Sequence, residues 1–201
     1  MKTPADLDER IRALEYHYAR VYPYLLSENE RKAHGLDEDL EFTLGITPPQ
    51  LMLELLEEVS ATEEDVFYDL GCGVGHCVLV AAMVCGRSCG IEFLPGLHET
   101  AVDAARELGY ENASFTRDDL GRPDVSDGTI FFSYSTCFEA ELRDHLARQV
   151  ATAAPGSRII TITRPVSHPA VELVSKRQAC WGKEGESADA LRWVYFHRRI
   201  D

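Results

Sequence analysis

The chain has 201 residues, a formal net charge of −14 and a hydrophobic content of 45%. That length allows one domain with a sizeable core, and the composition is ordinary for a soluble globular protein. A surface this acidic repels phosphate backbones and attracts basic partners such as a lysine-rich protein tail, so direct nucleic-acid binding is not expected.

The opening MKTPADLDER is charged and has no apolar signal region. The longest clean apolar run, Val78 to Cys85, is too short to span a bilayer. A soluble, intracellular (cytoplasmic) chain without membrane association is expected. Leu7, Ile11, Leu14, Tyr18 and Val21 recur at spacings of four and three. This predicts a helix over 6–22, ended by Pro23. Residues 27–45 are polar, charged and without a period, which reads as a loop. Thr47-Pro48-Pro49 resembles an N-cap with prolines in a first turn, opening a helix whose buried face is Leu51, Leu55 and Val59.

From there strands and helices alternate. DVFYDL (65–70) reads as a strand, Val74 to Val84 as an apolar helix and SCGIE (88–92) as a second strand. A helix over Pro95 to Leu108 stops at Gly109, and ASFTRD (113–118) and GTIFFSYS (128–135) follow as strands. A helix over Phe138 to Ala153 and a fifth strand, RIITITR (158–164), complete the alternation. The pattern predicts an α/β fold with a mostly parallel sheet covered on both faces. Val171 to Cys180 and Leu191 to Arg198, joined by the polar loop GKEGESAD, predict a closing hairpin.

Six cysteines show no CxxC pair and sit among apolar or small residues. They are read as buried reduced thiols, and no metal site is expected.

The informative stretch is FYDLGCGVGHCVLVAA (67–82), with Gly71, Gly73 and Gly75 between a strand and a helix. In open α/β sheets ligands bind beyond the carboxyl ends of the strands, where bare backbone lets a ligand approach the main chain and the next helix aims its amides at it. One glycine would serve a simple turn; three at alternate positions point to a ligand. The dinucleotide fingerprint is G-x-G-x-x-G. Here the spacing is G-x-G-x-G, with His76 where the last glycine would fall. Glu92 ends the second strand 21 residues after Gly71, the distance at which an acid holds a ribose diol.

YDLGCGVG, GIE and the two closing strands resemble the class I S-adenosylmethionine-dependent methyltransferases. FYDLGCGVGHCVLVAA with ITPPQLMLELLEEV upstream resembles, more narrowly, the Dot1-like lysine methyltransferases, over roughly residues 42–165. The resemblance implies the Rossmann-like sheet of that class, mostly parallel with an antiparallel C-terminal strand. It implies S-adenosylmethionine as cofactor and a domain over 46–201 preceded by an N-terminal helical segment over 1–45. In such enzymes the preceding segment often closes over the cofactor; packing of an amphipathic helix on the sheet explains the segment equally simply. Carried over residue by residue, Asp69, Gly71, Cys72, Gly73, Val74 and Gly75 match the cofactor loop. His76 takes the place of the family's glutamine and Glu92 that of the ribose-binding acid. Asp119 matches the reader of the adenine amino group, with Asp118 the adjacent alternative, and Leu120 covers the adenine face. Thr47 matches the threonine that contacts the methionine carboxylate.

Two departures fall on the acceptor side. Ile46 replaces the glutamate before that threonine, and Ser133-Tyr134-Ser135 replaces a pair of asparagines. Tyr134, Ser133 and Ser135 are the expected catalytic wall. Methyl transfer from a sulfonium is an in-line displacement in which alignment supplies much of the rate, and aromatic rings and hydroxyls tolerate the dispersing charge. The leading expectation is methylation of a lysine in a basic protein. The alternatives are a small-molecule acceptor at the same cofactor site, and a non-catalytic cofactor- or partner-binding domain.

Overall fold

The computed structural model describes residues 4–36, 38–181 and 191–201. Helices α1 (Pro4–Ala19), α2 (Pro23–Ala33) and α3 (Pro49–Glu58) precede the sheet, with a 3-10 turn at Leu40–Phe42. Strand β1 (Val66–Leu70), α4 (His76–Ala81), β2 (Arg87–Glu92), α5 (Pro95–Glu107) and β3 (Ala113–Arg117) follow. The chain then forms β4 (Ile130–Ser133), α6 (Ala140–Val150), β5 (Arg158–Ile162), β6 (Val171–Cys180) and β7 (Leu191–Arg199).

Among the described residues the sheet has seven strands in the order β3-β2-β1-β4-β5-β7-β6. β1 pairs in parallel with β2 and β4, and β5 extends the parallel part beside β4. β7 runs antiparallel to β5, and β6 to β7. Alternation along the strands divides the core in two. Phe67, Ile130, Phe132 and Ile160 face α1, α3, α4 and α5, while Tyr68, Leu70, Phe131 and Ile159 face α6. The order reverses between β1 and β4, which opens a crevice above β1, the usual ligand site of such sheets. No helix among the described residues is long and apolar enough to cross a membrane.

Five sequence expectations need correction. Residues 27–45 are not all loop, because α2 occupies Pro23–Ala33. Pro23 opens that helix rather than closing α1, which ends at Ala19; Tyr22, at φ 52, makes the turn between them. The α2 sequence PYLLSENERKA has too short an apolar stripe to announce itself. It is held by tertiary contact: Glu30 Oε2 accepts the Gly96 amide at 2.8 Å, at the start of α5.

Thr47 is not an N-cap, since Pro48 holds that position and no side chain caps α3. The α4 helix covers only His76–Ala81, with turns after it, so Val74 belongs to the loop. Of the cysteines, Cys72, Cys77, Cys85 and Cys89 are buried, but Cys137 is partly exposed and Cys180 exposed. The loop from Gly182 to Asp189 lies outside the described residues.

Candidate functional site

The site grows from the end of β1. Leu70 closes the strand, and the amides of Gly71 and Cys72 both donate to the Ile91 carbonyl, at 3.1 and 2.9 Å. These two hydrogen bonds to one carbonyl of β2 turn the chain sharply out of the sheet. Gly73 follows at φ +54, and a Cβ there would lie 2.5 Å from Leu44 Cδ1. Gly75, at φ +86, packs so closely that a Cβ would lie 2.9 Å from both Ala101 and Phe115. Left-handed backbone and close approach together exclude side chains from these two positions.

Glu92 completes the corner. Its Oε2 accepts the Gly73 amide and its Oε1 the Leu94 amide, both at 2.8 Å. A carboxylate offers about four acceptor positions, so two remain for a ribose diol. Burial pushes the Glu92 carboxyl up, against the lowering effect of the amides. Asp69 lies behind the loop, 3% exposed, and no donor among the described residues reaches it. Burial first, and the neighbouring Glu92 second, push its carboxyl up to about 8.

Above the corner lies a cleft of about 320 Å³. Gly71, Gly73, Glu92, Asp119, Leu120 and Tyr134 all line it. Asp119 rather than Asp118 faces it, and Asp119 Oδ1 caps its own turn by accepting the Gly121 amide at 3.1 Å. A narrower recess of about 10 Å³ continues from the cleft past Leu44, Gly45 and Gly71. Thr47, Asp69, Cys72, Val74 and His76 line this recess, and Tyr134 lines both spaces.

Ser133 and Ser135 are not brought into either space. The Ser133 hydroxyl donates to the Leu70 carbonyl at 3.2 Å, and both serines line a small void under α6. Alternation along β4 and just past its end turns them to the opposite face from Tyr134. The acceptor-side assignment of these two serines is therefore withdrawn.

The sequence reading missed the strap from Glu41 to Gly45, which crosses the cleft, and the apolar walls Phe93, Leu97, Phe138 and Leu142. The signal available in the sequence was Phe93, an aromatic directly after the strand-end Glu92; in the structure it is half-exposed.

His76 is stacked on Tyr18, ring centroids 3.6 Å apart at 24°. Burial, with a smaller effect from His17, drives its pKa down to about 3, so the ring is neutral. The Thr47 hydroxyl is buried without a conventional hydrogen-bond partner, beside the Cys77 thiol.

These groups fit an adenosyl amino acid. The apolar walls and Asp119 suit an adenine, and Glu92 a ribose. The unpartnered Thr47 hydroxyl and Asp69 carboxylate suit the two charged groups of an amino-acid tail. The recess, at about 10 Å³, is tighter than such a tail, and Leu44, which lines both spaces, bounds the passage into it.

Solved structures share this fold. The RNA methyltransferase from Salinibacter ruber, in complex with S-adenosyl-L-homocysteine, matches with a TM-score of 0.62 and 27% identity. The match covers 78% of this chain and 95% of that one. TrmN from Thermus thermophilus matches with a TM-score of 0.64 and 19% identity, over 78% of this chain and 50% of that one, a likeness of fold alone. Sheet order, glycine loop and strand-end acids thus define a class I methyltransferase domain, with S-adenosylmethionine as its cofactor.

Residues 38–179 match the family described as "Histone methylation protein DOT1", and the chain belongs to that family. The H3 lysine-79 specific histone-lysine N-methyltransferase of Candida albicans is 26% identical over 172 residues, or 77% of this chain. Protein-L-isoaspartate O-methyltransferase 2 of an Anaeromyxobacter species is 32% identical over 101 residues, or 48% of this chain. The chain spans 13% and 42% of the lengths of these two relatives.

Proposed function

We propose that the protein transfers a methyl group from S-adenosylmethionine to the side-chain amine of a lysine in a basic protein segment. The observation that carries this reading is the family match over residues 38–179, which spans the strap, the glycine loop and Tyr134. The net charge of −14 and the acidic rim residue Glu41 favour a basic partner.

The cofactor supplies an electrophilic methyl on a sulfonium. The chain supplies placement. Glu92 and Asp119 fix the nucleoside, while Thr47 and Asp69 hold the tail. Tyr134, at the junction of cleft and recess, forms the wall past which the acceptor approaches. A lysine has to lose its proton before it attacks, which costs roughly 4.6 kcal/mol at pH 7 for a free side chain. The apolar walls, with Phe138 and Leu142, favour the neutral amine by excluding water.

A small-molecule acceptor is the second reading, and one observation favours it. The Arg192 side chain stands beside the Tyr134 hydroxyl, a cation suited to an anionic acceptor. Labelled-methyl transfer into a lysate, followed by separation of protein from small molecules, decides between them. Counts in lysine-rich proteins that fall as salt rises support the lysine reading. Counts confined to small molecules, without salt dependence, overturn it.

A further inference from the structure

Tyr18 belongs to α1, ahead of residue 38 where the family match begins, yet it reaches the cofactor loop. It is 5% exposed. Its hydroxyl donates to the Val74 carbonyl, and its ring stacks on His76. Val74 and His76 flank Gly75, the left-handed residue that ends the loop. The first helical bond of α4 runs from the Leu79 amide to the Gly75 carbonyl, at 3.0 Å. The Val74 carbonyl therefore lies before the helical ladder, and the Tyr18 hydroxyl supplies its donor. Burial raises the Tyr18 pKa well above its ordinary value, which keeps that donor protonated.

We infer that Tyr18 is a positioning residue for the cofactor: it pins the loop through Val74 and His76 and so shapes the recess that takes the amino-acid tail. Tyr18 lines neither the cleft nor the recess, whereas both of its partners line the recess. The adenine walls at Phe93, Leu120 and Phe138 stand apart from this contact. Tyr18 thus acts on one end of the ligand and not the other. The inference rests on the methyltransferase reading above.

The test uses the full chain and two ligands, S-adenosylhomocysteine and 5′-methylthioadenosine, which lacks the amino-acid tail. Tyr18→Phe keeps the ring and removes the hydroxyl. It is expected to weaken S-adenosylhomocysteine about tenfold, as the loss of one buried hydrogen bond implies, and to leave 5′-methylthioadenosine unchanged. Tyr18→Leu also removes the stack and is expected to widen the gap between the two ligands. A merely structural role would weaken both ligands alike, and that result, or no change in either, overturns the inference. Failure of the unsubstituted chain to bind S-adenosylhomocysteine would instead overturn the methyltransferase reading and this inference with it.

Discussion

Asp69 and Glu92 stand at the ends of two adjacent parallel strands and share one buried corner with no cation paired to either among the described residues. Glu92 is held by two amides and Asp69 by none. The Asp69 carboxyl, raised to about 8, is protonated at neutral pH in the free protein. Its contribution to stability is full below the ordinary carboxylate value and is lost as pH rises through about 8. His76, lowered to about 3, acts oppositely, its contribution being present above the ordinary histidine value and lost as pH falls. The two oppose each other in mildly acidic solution. Above the ordinary histidine value only the carboxylate effect remains. The melting temperature of the free protein should therefore fall from about pH 6.5 to about pH 8.5. Asp69→Asn should flatten that fall while weakening S-adenosylhomocysteine. Thermal melts across the range check it; an unchanged slope in the variant contradicts it.

Gly73→Val should abolish cofactor binding and leave the fold largely intact. A β-branched residue at φ +54 is strained, and its Cβ would collide with Leu44 beside the bond from Gly73 to Glu92. Circular dichroism with calorimetry separates the two effects. Normal binding would mean that the loop is only a turn.

Asp119→Ala should weaken S-adenosylhomocysteine about fivefold, the size expected for one hydrogen bond at an exposed rim. It should also erase the preference over S-inosylhomocysteine, which carries an oxygen in place of the adenine amino group. Competition binding with the two nucleosides reads this directly; a preference retained in the variant assigns the adenine edge to another residue.

Tyr134→Ala should cut turnover at least about tenfold, with cofactor affinity nearly unchanged. The ring packs on Gly45, where a Cβ would meet it at 2.8 Å, and lies 5.6 Å from the Trp181 ring. Steady-state kinetics paired with S-adenosylhomocysteine titration checks the split. An affinity loss as large as the turnover loss would make Tyr134 a cofactor contact rather than an acceptor wall.

The middle of the sheet was legible in the sequence because β1, β2, β4 and β5 are short, largely buried and bounded by glycine, proline or a polar turn. β1 and β2 fall within one residue of the expected spans, at Val66–Leu70 and Arg87–Glu92. The bare turn at Gly71, Gly73 and Gly75 was legible because left-handed, closely packed backbone has one residue type that serves it. What stayed hidden depends on contacts distant in sequence. The α2 helix needs Glu30 on the start of α5, and the strap is ordered by Leu44 on Gly73 and Tyr134 on Gly45. Ser133 and Ser135 were misplaced because the resemblance fixed positions along the chain, whereas the face each residue takes is set by alternation along β4 and just past its end.

Calorimetric titration of the chain with S-adenosylhomocysteine and with NAD tests the central claim, that the glycine loop and Glu92 hold an adenosyl amino acid. The account predicts single-site heat from S-adenosylhomocysteine and none from NAD. Heat from NAD and none from S-adenosylhomocysteine would contradict it.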